Sequence, residues 1–104
     1  MENKNVEEVN HPKRYCGTCS IECIEAMELF VGWEGVVNFC ICNALKYVWR
    51  YQNKNGIEDL HKANWYIDYV LVQKKDTRTT PPELITILHR LREIVIDAGD
   101  KCAM

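Results

Sequence analysis

Trp33-Glu34-Gly35-Val36-Val37-Asn38-Phe39-Cys40-Ile41-Cys42-Asn43-Ala44-Leu45-Lys46-Tyr47-Val48-Trp49-Arg50-Tyr51-Gln52-Asn53 is the stretch on which the fold turns. Val36, Val37, Phe39, Ile41, Leu45 and Val48 cover most of a helical circumference. Residues 34–53 are therefore expected to form the central, most enclosed helix. Asn53-Lys54-Asn55-Gly56 follows, a run of residue types suited to a left-handed helix stop.

The flanking segments read as helices too. Ser20 suits an N-cap, and residues 21–31 place Ile21, Ile24, Met27 or Glu28, and Val31 in line before Gly32 stops the helix. Residues 1–14 are polar and expected to be extended or partly disordered, with His11-Pro12 disfavouring helix at His11. Residues 57–74 begin with Glu58 and Asp59 and end at Lys74 and Lys75, charges that suit a helix dipole. Their apolar set is Ile57, Leu60, Ala63, Ile67, Val70 and Leu71. After a polar connector from Lys74 to Pro82, a last helix fits residues 82–98, with Thr80 as its cap and Pro82 in its first turn. Leu84, Leu88, Leu91, Val95 and Ala98 form a narrow stripe along it, which serves either as internal core or as a dimer seam. The expected fold is all-α: a compact bundle of about four helices, with the C-terminal helix as the route to a homo-oligomer. Its expected parts are a polar segment (1–14), a helical domain (15–75) and a connector plus amphipathic helix (76–104).

Composition narrows the function. The 104 residues suffice for one domain, and 47% apolar with 27% charged residues is a globular balance. Thirteen Lys and Arg against fifteen Asp and Glu leave a net charge of −2, which argues against a cationic nucleic-acid-coating protein. Five glycines and three prolines argue against a turn-rich β-fold. The longest apolar runs are too short for a membrane span, so no membrane partner is expected. Met1 to Glu8 is polar and acidic, unlike a signal or transit peptide; export is not expected, and the six cysteines are expected to be thiols.

The chemistry-bearing pattern lies on the central helix. Asn43, Lys46, Tyr47, Arg50 and Lys54 share one face of an otherwise greasy helix. A cation row near the centre of a fold needs an anion opposite it. Arg50 can fork onto phosphate oxygens, Lys46 and Lys54 add point charge, and Asn43 and Tyr47 supply neutral hydrogen bonds. A solvated face with snorkelling side chains fits the same pattern. The short turn at 53–56 makes the next helix antiparallel and brings Arg50 and Lys54 near Glu58 and Asp59. That juxtaposition is either an interhelical salt-bridge network or a metal-phosphate site in which carboxylates hold Mg²⁺. Glu58 and Lys62, and likewise Asn64 and Asp68, are i,i+4 partners. Glu22 and Glu25 are further acidic candidates, either for Mg²⁺ or for solvent. The aromatic residues are plentiful and serve either core packing or base stacking. Cys16-x-x-Cys19 with Cys40-x-Cys42 makes a poor zinc set, because Cys40 and Cys42 point about 200° apart on a helix. No P-loop, G-x-G-x-x-G or H-E-x-x-H motif occurs.

Four blocks together resemble a known family. They are Asn10-His11-Pro12-Lys13-Arg14-Tyr15, Ile21-Glu22-Cys23-Ile24, the run from Phe39 to Arg50, and the run from Lys54 to Asp68. Over roughly residues 10–72 the chain looks like the small phage-encoded nucleotide kinase-like domain of unknown function. That group includes the phage deoxynucleoside monophosphate kinase that lacks a P-loop. The resemblance implies a phage protein that acts on or binds nucleotides in the cytoplasm of the infected host cell, with ATP or another nucleotide as ligand. It highlights His11, Tyr15, Glu22, Asn43, Lys46, Tyr47, Arg50, Lys54, Glu58, Asp59, Lys62 and Tyr66. In that reading Lys46, Arg50 and Lys54 neutralise phosphates, and Lys46, Arg50 and Asp59 form the catalytic set. His11, Tyr15, Asn43, Tyr47, Lys62 and Tyr66 complete the nucleotide site. Glu58 and Asp59, with Glu22, position Mg²⁺, while Tyr47, Tyr66 or Trp65 flank the base. The two cysteines between Tyr15 and Ile21 depart from the family pattern, and the last helix lies outside it. A non-catalytic sponge for nucleotides or cyclic-nucleotide signals, an all-α Mg²⁺-dependent nucleotide pyrophosphohydrolase, and a purely structural or host-protein-binding module are the other expectations.

Overall fold

A computed structural model describes residues 22–103, and among them there are helices and turns but no strand. The fold is all-α. Among the described residues there are three α-helical runs: α1 (Cys23–Arg50), α2 (Ile57–Asp68) and α3 (Pro82–Ala103). No helix among the described residues is long and apolar enough to cross a membrane.

α1 is interrupted at Gly32, whose φ of 79° and ψ of 172° are non-helical. A side chain rarely tolerates that conformation, so glycine is the residue that permits it. The helix stop expected at Gly32 corresponds to this break. The chain divides there into two compact units, Met1–Gly32 and Trp33–Met104. In the first unit the described residues 23–31 form one helical arm. Its start is closed by a capping contact, in which the Glu22 backbone N–H donates to Glu25 Oε1 at 3.2 Å. Glu25 is thus a capping residue. The expected Ser20 cap lies outside the described residues.

In the second unit the other arm of α1, residues 33–50, runs antiparallel to α2. Arg50 meets Asp59 beside the turn, and Trp33 meets Tyr69 at the far end. The helix expected to continue to residue 53 tightens into a 3₁₀ turn at Tyr51–Asn53. Gly56, at φ 60°, receives the chain, and its N–H donates to the Tyr51 carbonyl at 2.8 Å. α2 stops being α-helical at Asp68 and widens into a π-helical turn, Tyr69–Gln73, where a regular helix to residue 74 was expected. Two successive residues of this wider turn, Tyr69 and Val70, are buried.

The core joins one stripe from each helix: Val36, Val37, Cys40 and Ala44, then Leu60, Ala63 and Ile67, then Leu88, Leu91, Val95 and Ala98. Burying each large aliphatic side chain contributes roughly 1.5–3 kcal/mol. The α3 stripe serves as internal core, one of its two expected roles, because α3 packs against α2 and leaves Leu88, Leu91, Val95 and Ala98 buried within one chain. One expectation is corrected here: α1 is less enclosed than its apolar composition predicts, since Cys42, Leu45, Lys46 and Trp49 are exposed. Each helix of so small a layer buries a single stripe, and α1 uses the Val36–Ala44 stripe for that purpose. α3 also outruns its expected end at residue 98 and reaches Ala103, helped by an i,i+4 contact of 3.4 Å between Lys101 and Asp97. Thr80 is engaged elsewhere than as a cap, its Oγ1 accepting the Trp33 indole N–H at 2.9 Å.

Candidate anion-binding site

The end of α1 carries Lys46, Tyr47 and Arg50 on neighbouring positions, and the turn at Gly56 brings the start of α2 back beside them. Three cations converge on one ring. Lys46 Nζ lies 4.6 Å, Arg50 Cζ 4.9 Å and Lys62 Nζ 5.6 Å from the Tyr47 centroid. Lys46 neighbours Tyr47 in sequence, so its contact is local. Lys62 comes from α2, so its approach is set by tertiary packing. Tyr47 is held in place by stacking on Tyr66, with centroids 6.2 Å apart and planes 14° apart. Tyr66 in turn meets Phe39 and Trp65 edge-on, and Trp65 stacks on Tyr69. A tyrosine face attracts each cation modestly. Three of them around one ring still repel one another, and an anion placed between them relieves that repulsion.

Arg50 is anchored. Its Nε and Nη2 donate to Asp59 Oδ2 and Oδ1 at 3.4 and 3.5 Å. The Asn55 backbone N–H and side-chain Nδ2 donate to the same two oxygens at 3.2 and 3.4 Å. Asp59 is fully buried while Arg50 is about one-third exposed. Burial raises the Asp59 carboxyl, but the Asn55 N–H, the Arg50 and Asn55 side-chain hydrogen bonds and the Arg50 charge outweigh it. The carboxyl therefore sits below its ordinary 3.8. An interhelical ion pair, one of the two outcomes open from sequence for this corner, is present.

His11 and Tyr15 lie outside the described residues. Glu22 belongs to the first unit. Asn43 donates one Nδ2–H to the Phe39 carbonyl at 3.2 Å. Lys54 and Glu58 are exposed, and Lys54 is not among the cations around Tyr47. Asp59 has both oxygens engaged by Arg50 and Asn55, so the donor set suits an arginine clamp better than a protein-held Mg²⁺. Among the described residues no group of three or more His, Cys, Asp or Glu is placed to hold a metal. Cys40 is buried, its thiol pushed up to about 12 by burial, and Cys42 is exposed, so the two face apart as their helical spacing requires. Cys16 and Cys19 lie outside the described residues.

Sequence reasoning overlooked Asn55 and Arg92. The Asn-x-x-x-Asp spacing that it used for Asn64 and Asp68, which are joined at 3.2 Å, occurs identically at Asn55 and Asp59. Arg92 reaches Asp68 from a distant helix, with no local signal to announce it.

This all-α chain with a cationic, tyrosine-centred corner matches a family model across residues 9–68. It belongs to that family, described as a protein of unknown function, DUF3310. The match spans every candidate residue from His11 to Tyr66 and stops before α3. No curated protein and no solved structure matches the chain.

Proposed function

We propose that the chain binds a phosphorylated nucleotide, its phosphates lying against Lys46, Lys62 and the exposed edge of Arg50. The observation that carries this reading is the convergence of three cations from two helices on Tyr47, with Lys46 and Lys62 exposed and in no ion pair among the described residues. The resemblance to phage nucleotide kinase-like proteins adds the expected setting, the cytoplasm of an infected cell. It also adds the expected reaction, phosphoryl transfer to a deoxynucleoside monophosphate. That chemistry asks chiefly for positioning and charge neutralisation, which an anchored arginine and two exposed lysines supply. Mg²⁺ enters the proposal as an ion carried by the phosphates, with Glu58 as the exposed carboxylate beside them.

Arg50→Ala is a poor first test, because it strips a buried carboxylate of its partner and damages the fold. Lys46→Ala combined with Lys62→Ala removes only exposed charge. Calorimetry with ATP and with deoxynucleoside monophosphates should show at least a tenfold loss of affinity in the double variant, with unfolding stability changed by less than about 0.5 kcal/mol. Unchanged affinity removes the site.

A second reading is a non-catalytic sponge. It is favoured by Asp59, whose oxygens are committed to Arg50 and Asn55 and are not free for catalysis. Incubating the protein with ATP, Mg²⁺ and a panel of deoxynucleoside monophosphates separates the cases. New diphosphate identifies the kinase, tight binding without product the sponge, and pyrophosphate release the pyrophosphohydrolase.

A further inference from the structure

The chain has three tryptophans, and two of them are engaged. Trp33 donates its indole N–H to Thr80, and Trp65 stacks on Tyr69 with centroids 5.5 Å apart. Trp49 is different, with 83% of its surface exposed. It stands three residues after Lys46 on α1, a spacing that sets the two side chains next to each other on the helix surface. Leu45, 47% exposed, and Cys42 continue the same strip toward the helix start. An apolar strip thus borders the cation cluster directly. A contiguous apolar surface beside concentrated positive charge calls for an occupant that is flat and apolar at one end and anionic at the other.

We propose that Trp49 is the platform on which the base of the bound nucleotide stacks, while its phosphates lie on Lys46, Lys62 and Arg50. The inference rests on the nucleotide reading above and assigns to that site a ligand class, a nucleobase joined to a phosphate chain. It also moves base recognition away from Tyr47, Tyr66 and Trp65. Those rings are packed on one another and have no free face comparable to that of Trp49.

The test measures two ligands on the full chain, a nucleoside triphosphate (ATP and dTTP in parallel) and inorganic tripolyphosphate, by calorimetry. The wild type should prefer the nucleotides. Trp49→Ala should weaken nucleotide binding by about tenfold or more, the scale of one base–aromatic stack, and leave tripolyphosphate binding unchanged. Trp49→Phe should keep most of the preference. Circular dichroism on each variant confirms that the helices persist. Equal weakening of both ligands, or of neither, overturns the platform, as does a changed sedimentation coefficient with an unchanged ratio of affinities, which would mean that a second copy covers Trp49. A wild type that binds tripolyphosphate and nucleotides equally keeps the phosphate site and removes the platform. A wild type that binds neither removes both.

Discussion

Asp59 and Asp68 stand at opposite ends of α2 and are held in the same manner. Each accepts from an asparagine four residues earlier, Asn55 or Asn64, and each is paired with an arginine from another helix, Arg50 or Arg92. They differ in exposure. The Asp59 side chain is 0% exposed and the Asp68 side chain 37%. In a buried corner an ion pair is costly to form and far costlier to break, because either partner alone is stranded away from water. At a wet corner, water replaces a missing partner, and the pair contributes little. The same three residue types therefore build a structural clamp at one end of α2 and a minor tie at the other.

Asp59→Ala should produce the largest effect, a loss of about 3 kcal/mol or more in urea unfolding at pH 7, since Arg50 and the Asn55 N–H both lose their acceptor. Acid should reproduce part of that loss. A carboxyl held below its unfolded value adds stability that is complete above that value and disappears as pH falls through the folded one. The stability gap between wild type and Asp59→Asn should accordingly narrow as pH drops below about 4, read from urea midpoints across a pH series. Asp68→Ala should cost least, about 1 kcal/mol or below, and the cost should shrink further in 1 M salt. Equal losses for the two alanine variants would show that burial is not what divides the clamps.

Much of the helical plan was readable from residue types. Gly32 and Gly56 mark the breaks because both occupy positive φ, which glycine alone accepts at no cost. The Leu88–Ala98 stripe announced a buried face because its three- and four-residue spacing repeats with the helix. The π turn at Tyr69–Gln73 was not readable, because no residue there forbids ordinary helix. Thr80 looked like a cap from its neighbours, but an indole forty-seven positions away takes its oxygen. In the candidate site, the cation row Lys46–Arg50 was visible as a pattern. Which members are saturated was not. Asp59 and Glu58 are adjacent in sequence, yet one is sealed and the other wet.

Local chemistry thus determined the breaks at Gly32 and Gly56 and which charges share a face, since backbone freedom and helical period act over a few residues. Tertiary packing alone decided which carboxylate is spent on an arginine, which lysine from α2 approaches Tyr47, and which tryptophan faces solvent. Those outcomes depend on desolvation and on partners distant along the chain, and neither is encoded in any short window of residues.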